Sequence, residues 1–142
     1  MDVHARISAE PLSLSDVAKL VARPAAGAIV TFQGTTREVD RLDYEAYVEM
    51  AEPYIRRVLR ECLARHGLEA IAAEHRVGSV PLGEASVVVA ASAAHRDEAF
   101  AGARAAIDRI KAEAPIWKRE LDPDGTARRV PGSPPPAAAQ RS

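Results

Sequence analysis

The chain has 142 residues, a formal net charge of −1 from 19 basic and 20 acidic side chains, and only 4% aromatic residues. This length fits one domain with its own core, and the balanced charge excludes a general electrostatic attraction to nucleic acid or to an anionic membrane. The single cysteine, Cys62, excludes an intrachain disulfide framework. With no signal-peptide pattern and no apolar run of membrane-span length, the sequence predicts a soluble, cytoplasmic protein.

The N-terminal part of the chain predicts two strands on either side of a short helix. Residues 3–7 predict the first strand, and Ser13 or Ser15 can cap a helix that stops before Pro24. Residues 27–33 form a short, mostly apolar run with β-branched side chains, which predicts a buried strand.

The next segment predicts a third strand and a second helix. Residues 42–47 alternate between apolar and polar side chains, as in a half-buried strand. The helix is predicted over residues 52–66, with Pro53 in its first turn and Gly67 just after its end. Its apolar face is expected to consist of Ile55, Val58, Leu59, Cys62 and Leu63.

The C-terminal half predicts two strands, a long helix and a final short strand. The strands are expected over residues 70–77 and 85–91, joined through Val80-Pro-Leu-Gly83, and the helix over residues 96–114. The buried face of this helix is predicted to contain Phe100, Ala103, Ile107 and Ile110. A last short strand is expected after Trp117.

The order of these elements defines the predicted fold class and domain. Strands and helices without a strict βαβ alternation favour an α+β fold. Residues 131–142 are rich in Pro and Ala and predict a disordered tail, so the domain is expected to span residues 1–130.

A cationic cluster surrounds the predicted end of the long helix. Lys111 lies in its last turn, Pro115 cannot continue the helix, and Lys118-Arg-Glu120 follows the only tryptophan. A capping lysine and a surface lysine are one interpretation. In a second interpretation, neighbouring cations lower the pKa of a lysine, so that its neutral amine can act as a base, an acid or a nucleophile. In a third, both lysines stay charged and hold a phosphate.

Two further motifs supply groups that suit an anion. His95-Arg96 is predicted at the start of the long helix, where backbone N–H groups and the helix dipole favour negative charge. Gly34-Thr-Thr-Arg37 follows a predicted buried strand, and hydroxyl groups beside an arginine suit a phosphate. Each motif also has a structural interpretation: a helix-capping histidine with a paired arginine, and an ordinary surface turn.

The other candidate side chains are expected to be structural. Cys62 lies on an apolar helix face, His75 lies within a strand, and His66 lies at a helix end. No two histidines and a carboxylate fall at metal-ligand spacing, so the sequence predicts no metal and no other cofactor.

The spacing of the cationic groups predicts a site that two chains share. Sixteen residues separate His95 from Lys111, which puts their backbones about 24 Å apart along one helix. One small substrate does not span both groups. We therefore expect a two-fold homodimer in which the start of one long helix lies near the end of the other.

Six motifs occur in order between residues 27 and 120. They are Gly34-Thr-Thr-Arg37, Leu42-Asp-Tyr-Glu-Ala-Tyr47, Met50-Ala51, His75-Arg-Val-Gly78, Ser92-Ala-Ala-His-Arg96 and Lys111-Ala-Glu-Ala-Pro-Ile-Trp-Lys-Arg-Glu120. Together they make the chain resemble the large, catalytic subunit of molybdopterin synthases.

The resemblance implies an α/β hammerhead-type domain that dimerises and binds a small ubiquitin-like sulfur-carrier subunit at each end, giving a heterotetramer. The carrier's C-terminal Gly-Gly thiocarboxylate would deliver sulfur, twice, to cyclic pyranopterin monophosphate. This reaction forms the dithiolene of molybdopterin during molybdenum cofactor biosynthesis. Matching positions imply a substrate pocket lined by Thr35, Thr36, Arg37, His95, Arg96, Lys111, Lys118, Arg119 and Glu120, with Lys111 the first choice for the catalytic lysine and Lys118 the second.

The chain departs from the family pattern at two places. Only Glu38-Val-Asp-Arg41 lies between Arg37 and Leu42, where family members usually carry a longer loop that contains glycine. A shorter loop is expected to leave the pocket more open. After the Lys-Arg-Glu motif, Gly125-Thr-Ala-Arg-Arg129 stands where the family often has a tryptophan-containing segment.

Two alternatives from other classes of protein remain open. The same cations suit a non-catalytic dimeric module that binds a phosphorylated metabolite. A pocket that accepts the C-terminal tail of a partner also suits a protein-interaction subunit without chemistry. Replacement of Lys111 by Ala separates an enzyme from the metabolite-binding module, because an enzyme then loses turnover but keeps much of its substrate binding, whereas a binding module only loses affinity.

Overall fold

Two four-stranded sheets and three helices make up the part of the chain that the structure describes, residues 2–37, 41–46, 48–121 and 127–129. The structure is a computed structural model. Its elements are β1 Val3–Ser8, α1 Leu14–Leu20, β2 Ala28–Thr35, β3 Arg41–Ala46, α2 Val48–His66, β4 Ala70–Arg76, β5 Gly78–Pro81, β6 Ala85–Ala93, α3 Arg96–Glu113, β7 Ile116–Leu121 and β8 Ala127–Arg129. The predicted α+β class is confirmed. The tail predicted over residues 131–142 lies outside the described residues.

The first sheet has the strand order β1-β4-β6-β2, with β1 parallel to β4 and the other two pairs antiparallel. The second sheet has the order β5-β3-β7-β8 and is antiparallel. Gly78 connects the two, because its φ of 84° lets the chain turn from β4 in one sheet into β5 in the other. The second sheet is therefore attached at the end of the first sheet where β4 finishes.

The main core lies between the first sheet and the helices α2 and α3. Alternate residues of β4 and β6 face these helices, as the two-residue period of a strand requires. The buried residues of this main core include Ile55, Val58, Leu59, Ile71, Ala73, Val87, Val89, Ala103, Ala106 and Ile110. On the opposite face of the same strands, Val17 and Val21 of the α1 region pack against a smaller cluster.

The ends of the helices agree with three of the sequence predictions. Of the two predicted caps for α1, Ser13 is the one used, since its Oγ accepts the N–H of Asp16 at 3.2 Å. Gly67 follows α2 with a φ of 63°. Helix α3 ends at Glu113, within one residue of the prediction, because Ala114 before Pro115 has an extended backbone.

The predicted start of α2 is wrong. The helix begins at Val48 rather than at residue 52, so Pro53 lies inside it and not in its first turn. A proline there removes one backbone hydrogen bond, which usually costs about 3 kcal/mol. The helix persists because residues on both sides of the proline, Ala51 and Ile55, are almost fully buried in the core.

The prediction that β2 is a buried strand is also wrong. Its side chains are only partly covered or exposed, with Ile29 46% and Phe32 36% exposed. The reason is its place at the edge of the sheet, where one neighbouring strand is missing among the described residues. An apolar, β-branched run looks the same in a central strand and in an edge strand.

Two smaller predictions need correction. Phe100 does not belong to the buried face of α3 and is 62% exposed. The buried line runs through Ala99, Ala103, Ala106 and Ile110, and Phe100 lies one residue, or about 100°, away from it. The connection predicted through Val80-Pro-Leu-Gly83 contains a further strand, because Val80 and Pro81 belong to β5 and pair with β3.

A buried carboxylate joins β1 to β4. Glu74 accepts hydrogen bonds from His4 Nε2 at 2.8 Å and from Arg6 Nη2 at 2.9 Å. Burial alone would raise the pKa of Glu74, but the hydrogen bonds with Arg6 and His4 outweigh it and hold the pKa below its ordinary 4.5. The stability that this carboxylate adds is complete above the ordinary pKa and is lost as the pH falls through the lower folded value.

We predict that Leu59→Ala lowers the free energy of unfolding by about 2–5 kcal/mol, because it leaves a cavity in a close-packed core. Leu59 is 0% exposed, whereas Leu20 at the end of α1 is 43% exposed and supplies the matched control. Urea unfolding of both variants measures the difference. Equal losses for Leu20→Ala and Leu59→Ala would contradict the position of the core.

We predict that Glu74→Gln destabilises the protein by about 1–3 kcal/mol at neutral pH, because a buried ion pair loses its charge. The difference from wild type should shrink as the pH falls below 4.5, where the wild-type carboxylate also loses its charge. Urea unfolding at several pH values measures this, with the exposed Glu10→Gln as control. A difference that does not change with pH would show that the charge of Glu74 is not responsible.

Candidate active site

Several of the predicted site residues meet at one end of the first sheet. The antiparallel pairing of β2 with β6 places Thr35 beside Ala85, at the start of β6. Helix α3 begins just after β6 ends and packs back over β6 and β2, so its last turn returns to that same end. Lys111, in this last turn, therefore lies at the end of the sheet where Thr35 and its neighbours leave β2.

His95 and Arg96 lie at the opposite end. His95 is the N-cap of α3 and Arg96 its first residue, and both side chains are exposed. Because the helix runs without interruption to Glu113, the separation of about 24 Å from Lys111 that the sequence predicts is present in the fold. One chain does not bring His95 and Lys111 together.

The end of β2 is fixed by Thr36. This residue is only 2% exposed, and its Oγ1 donates to the carbonyl oxygen of Pro81 at 2.6 Å. Its backbone N–H donates to the backbone carbonyl oxygen of Glu84 at 3.2 Å, and its own carbonyl oxygen accepts from the N–H of Gly83 at 3.1 Å. Thr36 thus ties β2 to the turn between β5 and β6, while its neighbours Thr35 and Arg37 are exposed.

A charged pair also links the end of β4 to the turn between β5 and β6. Arg76, at the end of β4, is 8% exposed and donates from Nη1 to Glu84 Oε1 at 2.6 Å. Since Glu84 also accepts from Thr36, the ends of β4, β2 and the β5–β6 turn are joined through adjacent groups. Thr35 and Arg37 therefore stand on a rigid support.

His75 lies buried at this end of the sheet, near Lys111. It is 8% exposed, and its Nδ1 lies 2.8 Å from the carbonyl oxygen of Arg76. Burial is the main cause that lowers the pKa of His75 to about 4; the hydrogen bond with Arg76 acts in the opposite direction, and the positive charge of Lys111 lowers the pKa further. His75 is therefore neutral at physiological pH, and Lys111 is close enough to affect its ionisation.

Tyr44 connects His75 to the second sheet. Its ring meets the ring of His75 edge to face, with centroids 5.0 Å apart and planes at 70°, and it packs with Val80 and Ile116. Burial raises the pKa of the Tyr44 hydroxyl, and a side-chain hydrogen bond with Ser86 acts in the opposite direction. The ring therefore forms a buried, neutral wall between the two sheets.

Strand β7 carries the second cationic motif to the same place. In the β3–β7 ladder Tyr44 lies opposite Lys118, Asp43 opposite Arg119 and Leu42 opposite Glu120. The backbone of the Lys-Arg-Glu motif thus runs beside the strand whose Tyr44 contacts His75. The side chains of the motif are outside the described part of the structure, as are residues 38–40 of the short loop after Arg37.

Sequence reasoning missed His75 and Tyr44 as neighbours of the site. From the sequence alone, His75 is expected to be structural because it lies within a predicted strand. One signal was available: residues 71, 73 and 75 alternate on the face of β4 that meets the helices. A histidine in line with Ile71 and Ala73 is an unusual choice for such a face.

Cys62 is placed as predicted. It is 3% exposed in the main core, and burial raises the pKa of its thiol, although the charge of Arg109 acts in the opposite direction. A buried thiol with a raised pKa is a poor nucleophile. Cys62 therefore packs and does not react.

Two surface grooves occur away from these residues. One, of about 750 Å³, lies between α2 and α3 and is lined by Cys62, Arg65, His66 and Arg109 among others. The other, of about 450 Å³, lies beside β1 and α2. Neither of these two grooves is lined by a predicted site residue.

The described residues contain no group of three or more His, Cys, Asp or Glu side chains that could hold a metal ion. They also contain no helix that is both long and apolar enough to cross a membrane.

Comparison with known proteins identifies the family. The model of the MoaE protein family matches residues 7–113. The chain is 52% identical over 107 residues to the molybdopterin synthase catalytic subunit of Oryza sativa subsp. indica, covering 71% of this chain and 55% of the relative. It is 42% identical over 120 residues to that of Homo sapiens, covering 80% and 64%, so it spans under two thirds of these relatives.

A solved structure supports the same assignment. The X-ray crystal structure of molybdopterin synthase from Staphylococcus aureus superposes with a TM-score of 0.81 at 31% identity, covering 87% of this chain and 96% of that one. The match of the family model, the sequence identities and the shared fold agree with one another. The chain belongs to the MoaE family.

Proposed function

We propose that this chain is the catalytic subunit of a molybdopterin synthase. In this role it transfers sulfur from a thiocarboxylated carrier protein to cyclic pyranopterin monophosphate and forms the dithiolene of molybdopterin. The observation that supports the proposal is that Lys111, Thr35, Arg37 and the backbone of Lys118 lie at the same end of the first sheet. Relatives of the same family are named molybdopterin synthase catalytic subunits.

The chemistry of the proposed reaction fits the groups available. Sulfur arrives on the C-terminal thiocarboxylate of the carrier, so the enzyme needs no thiol of its own, and Cys62 is buried with a raised pKa. The substrate phosphate and the negative charge that develops during the reaction call for arginine and lysine donors. The oxygen that leaves the pterin side chain needs a proton, and we assign its delivery to Lys111.

The proposed partner is a small, ubiquitin-like sulfur carrier with a C-terminal Gly-Gly thiocarboxylate. An extended tail of two glycines needs a narrow path with few bulky side chains around it. Hydrogen bonds join Thr36, Gly83 and Glu84 at the end of the first sheet where Lys111 also lies, and we propose that their backbone forms one wall of this path. We propose two carriers on a homodimer, and the cytoplasm as the location, since a free cysteine suits a reducing compartment.

The dimer is proposed because α3 separates two sets of cations. The exposed side chains of His95 and Arg96 stand at its start and Lys111 in its last turn. A two-fold axis that sets two α3 helices antiparallel brings the start of one beside the end of the other. Each pocket then contains Lys111 and Arg37 from one chain and His95 and Arg96 from the partner, enough cations to hold a phosphorylated pterin.

We predict that Lys111→Ala lowers dithiolene formation by at least about 100-fold, because the proton donor is removed. The assay combines the protein with thiocarboxylated carrier and cyclic pyranopterin monophosphate. Lys19→Ala is the matched control, since Lys19 is an exposed lysine on α1. Both variants should keep the unfolding midpoint of the wild type within the small range expected for surface substitutions.

Two outcomes of this assay would overturn parts of the proposal. Normal turnover by Lys111→Ala would remove this lysine from the catalytic role. No dithiolene from wild-type protein that is folded, dimeric and bound to its carrier would reject the enzyme. Undiminished binding of the phosphorylated pterin would then favour the non-catalytic module.

We predict that two inactive variants restore activity when their subunits exchange. In a dimer of Lys111→Ala with His95→Ala chains, one of the two pockets is complete, so random exchange should return about one quarter of wild-type activity. Lys111→Ala mixed with Arg37→Ala is the control. Those two residues lie at the same end of one chain, so no pocket becomes complete and no activity should return.

The exchange itself is verified by mass spectrometry of the mixed dimers. Mixed Lys111→Ala and His95→Ala dimers without activity would reject a pocket shared in this way. Recovery in the Arg37→Ala mixture would show instead that Arg37 and Lys111 act in different pockets.

A further inference from the structure

We propose that His75 is a positioning residue for Lys111, with Nε2 of its neutral ring accepting a hydrogen bond from the Lys111 ammonium group in the occupied pocket. This inference rests on the proposed function for its catalytic meaning. The hydrogen bond and ring contact from which it is argued are present in the structure whatever the reaction is. It assigns a purpose to a buried polar side chain that the reaction otherwise leaves unused.

The hydrogen bond with Arg76 fixes which nitrogen carries the proton. A backbone carbonyl oxygen only accepts, so Nδ1, at 2.8 Å from the oxygen of Arg76, must donate. In a neutral imidazole the other nitrogen then has no hydrogen and is an acceptor. Nε2 of His75 is therefore available to a donor, and an ammonium group is a donor only.

The ring of His75 is held in one orientation. Its position in β4 is set by pairing with Val87 of β6, and its face is set by the edge-to-face contact with Tyr44 at 5.0 Å. Tyr44 is itself packed by Val80 and Ile116. Because every one of these neighbours lies on a strand, the direction of Nε2 is fixed before substrate binds.

Lys111 is a charged group whose effect reaches this ring. It lies in the last turn of α3, and Ile116, five residues later, packs on Tyr44. The positive charge of Lys111 opposes protonation of His75, and burial does so more strongly. A neutral acceptor beside the lysine lets the ammonium keep its charge for the substrate, whereas a second cation would repel it.

A purely structural role explains the residue less well. The same face of β4 carries Ile71 and Ala73, and an apolar side chain at position 75 would continue that packing without an ionisable group. The hydrogen bond to Arg76 uses Nδ1 and leaves Nε2 as the nitrogen that can accept from another group.

Two substitutions of His75 test the roles of its ring nitrogens Nδ1 and Nε2 separately. His75→Asn keeps an amide N–H near the position of Nδ1 and removes the acceptor at Nε2. His75→Gln places its amide oxygen near the position of Nε2. If His75 positions Lys111, kcat for dithiolene formation should fall about 10- to 100-fold in His75→Asn, with little change in KM, and His75→Gln should recover most of it.

His66, a partly buried histidine at the end of α2, provides the control. His66→Asn and His66→Gln change a histidine that lies away from the predicted site residues, and neither should alter kcat. Circular dichroism and the unfolding midpoint verify that each variant is folded. Activity in His75→Asn equal to that in His75→Gln, at either the wild-type or a reduced level, overturns the proposal.

A second measurement does not depend on activity. The ¹⁵N signals of the His75 ring in the wild-type dimer report its tautomer and its protonation directly. The proposal requires hydrogen on Nδ1 and none on Nε2 from neutral pH down to about pH 5, and a pKa of His75 that rises in Lys111→Met. Hydrogen on Nε2, a charged ring at neutral pH, or an unchanged pKa in Lys111→Met each overturns it.

The dithiolene assay and the ¹⁵N measurement distinguish a failure of the proposed function from a failure of the positioning role. If wild-type protein forms no dithiolene but the ¹⁵N signals are as required, the proposed function is wrong and the pairing of His75 with Lys111 stands. If wild-type protein is active but the tautomer is the other one, the function stands and the positioning role is rejected.

Discussion

The packing of α3 along the first sheet is the constraint on which the site depends. Four residues on its buried line, Ala99, Ala103, Ala106 and Ile110, hold the helix against β6 and β2 with small side chains. A helix fixed in this way cannot bend to bring its two ends together. It therefore assigns Lys111 to one end of the sheet and His95 to the other, and in the proposed pocket a second chain brings the two ends together.

The second sheet brings further residues to the end of the first sheet where Lys111 lies. It is attached through the turn at Gly78 and through the contact of Tyr44 with His75, both near the end of β4. This attachment carries β7, with the backbone of Lys118, to the side of the molecule where α3 finishes. Two lysines that are only seven residues apart in sequence thus lie on different elements, because Pro115 ends the helix and an antiparallel strand follows.

The parts of the fold that sequence could predict are those set by local patterns. The N-cap of α1, the end of α3 and the strand character of β3 and β4 follow from nearby residues. The exposure of β2 and of Phe100 depends on where the sheet ends and on which helix face meets it, which no local pattern contains. Spacing along α3 gave the separation of His95 from Lys111, but the approach of His75 to Lys111 requires the tertiary fold.

The absence of a reactive thiol in the proposed site follows from the same arrangement. Cys62 points from α2 into the core, where burial raises its pKa, so the sulfur for any transfer has to arrive on another molecule. What this chain supplies instead is position and charge: a rigid corner at Thr36, a neutral ring at His75 and cations at both ends of α3. Such groups stabilise negative charge without being consumed. In the proposed reaction the carrier would bring the reactive sulfur and this chain would supply the preorganised cations, so that the chemistry is divided between the two proteins.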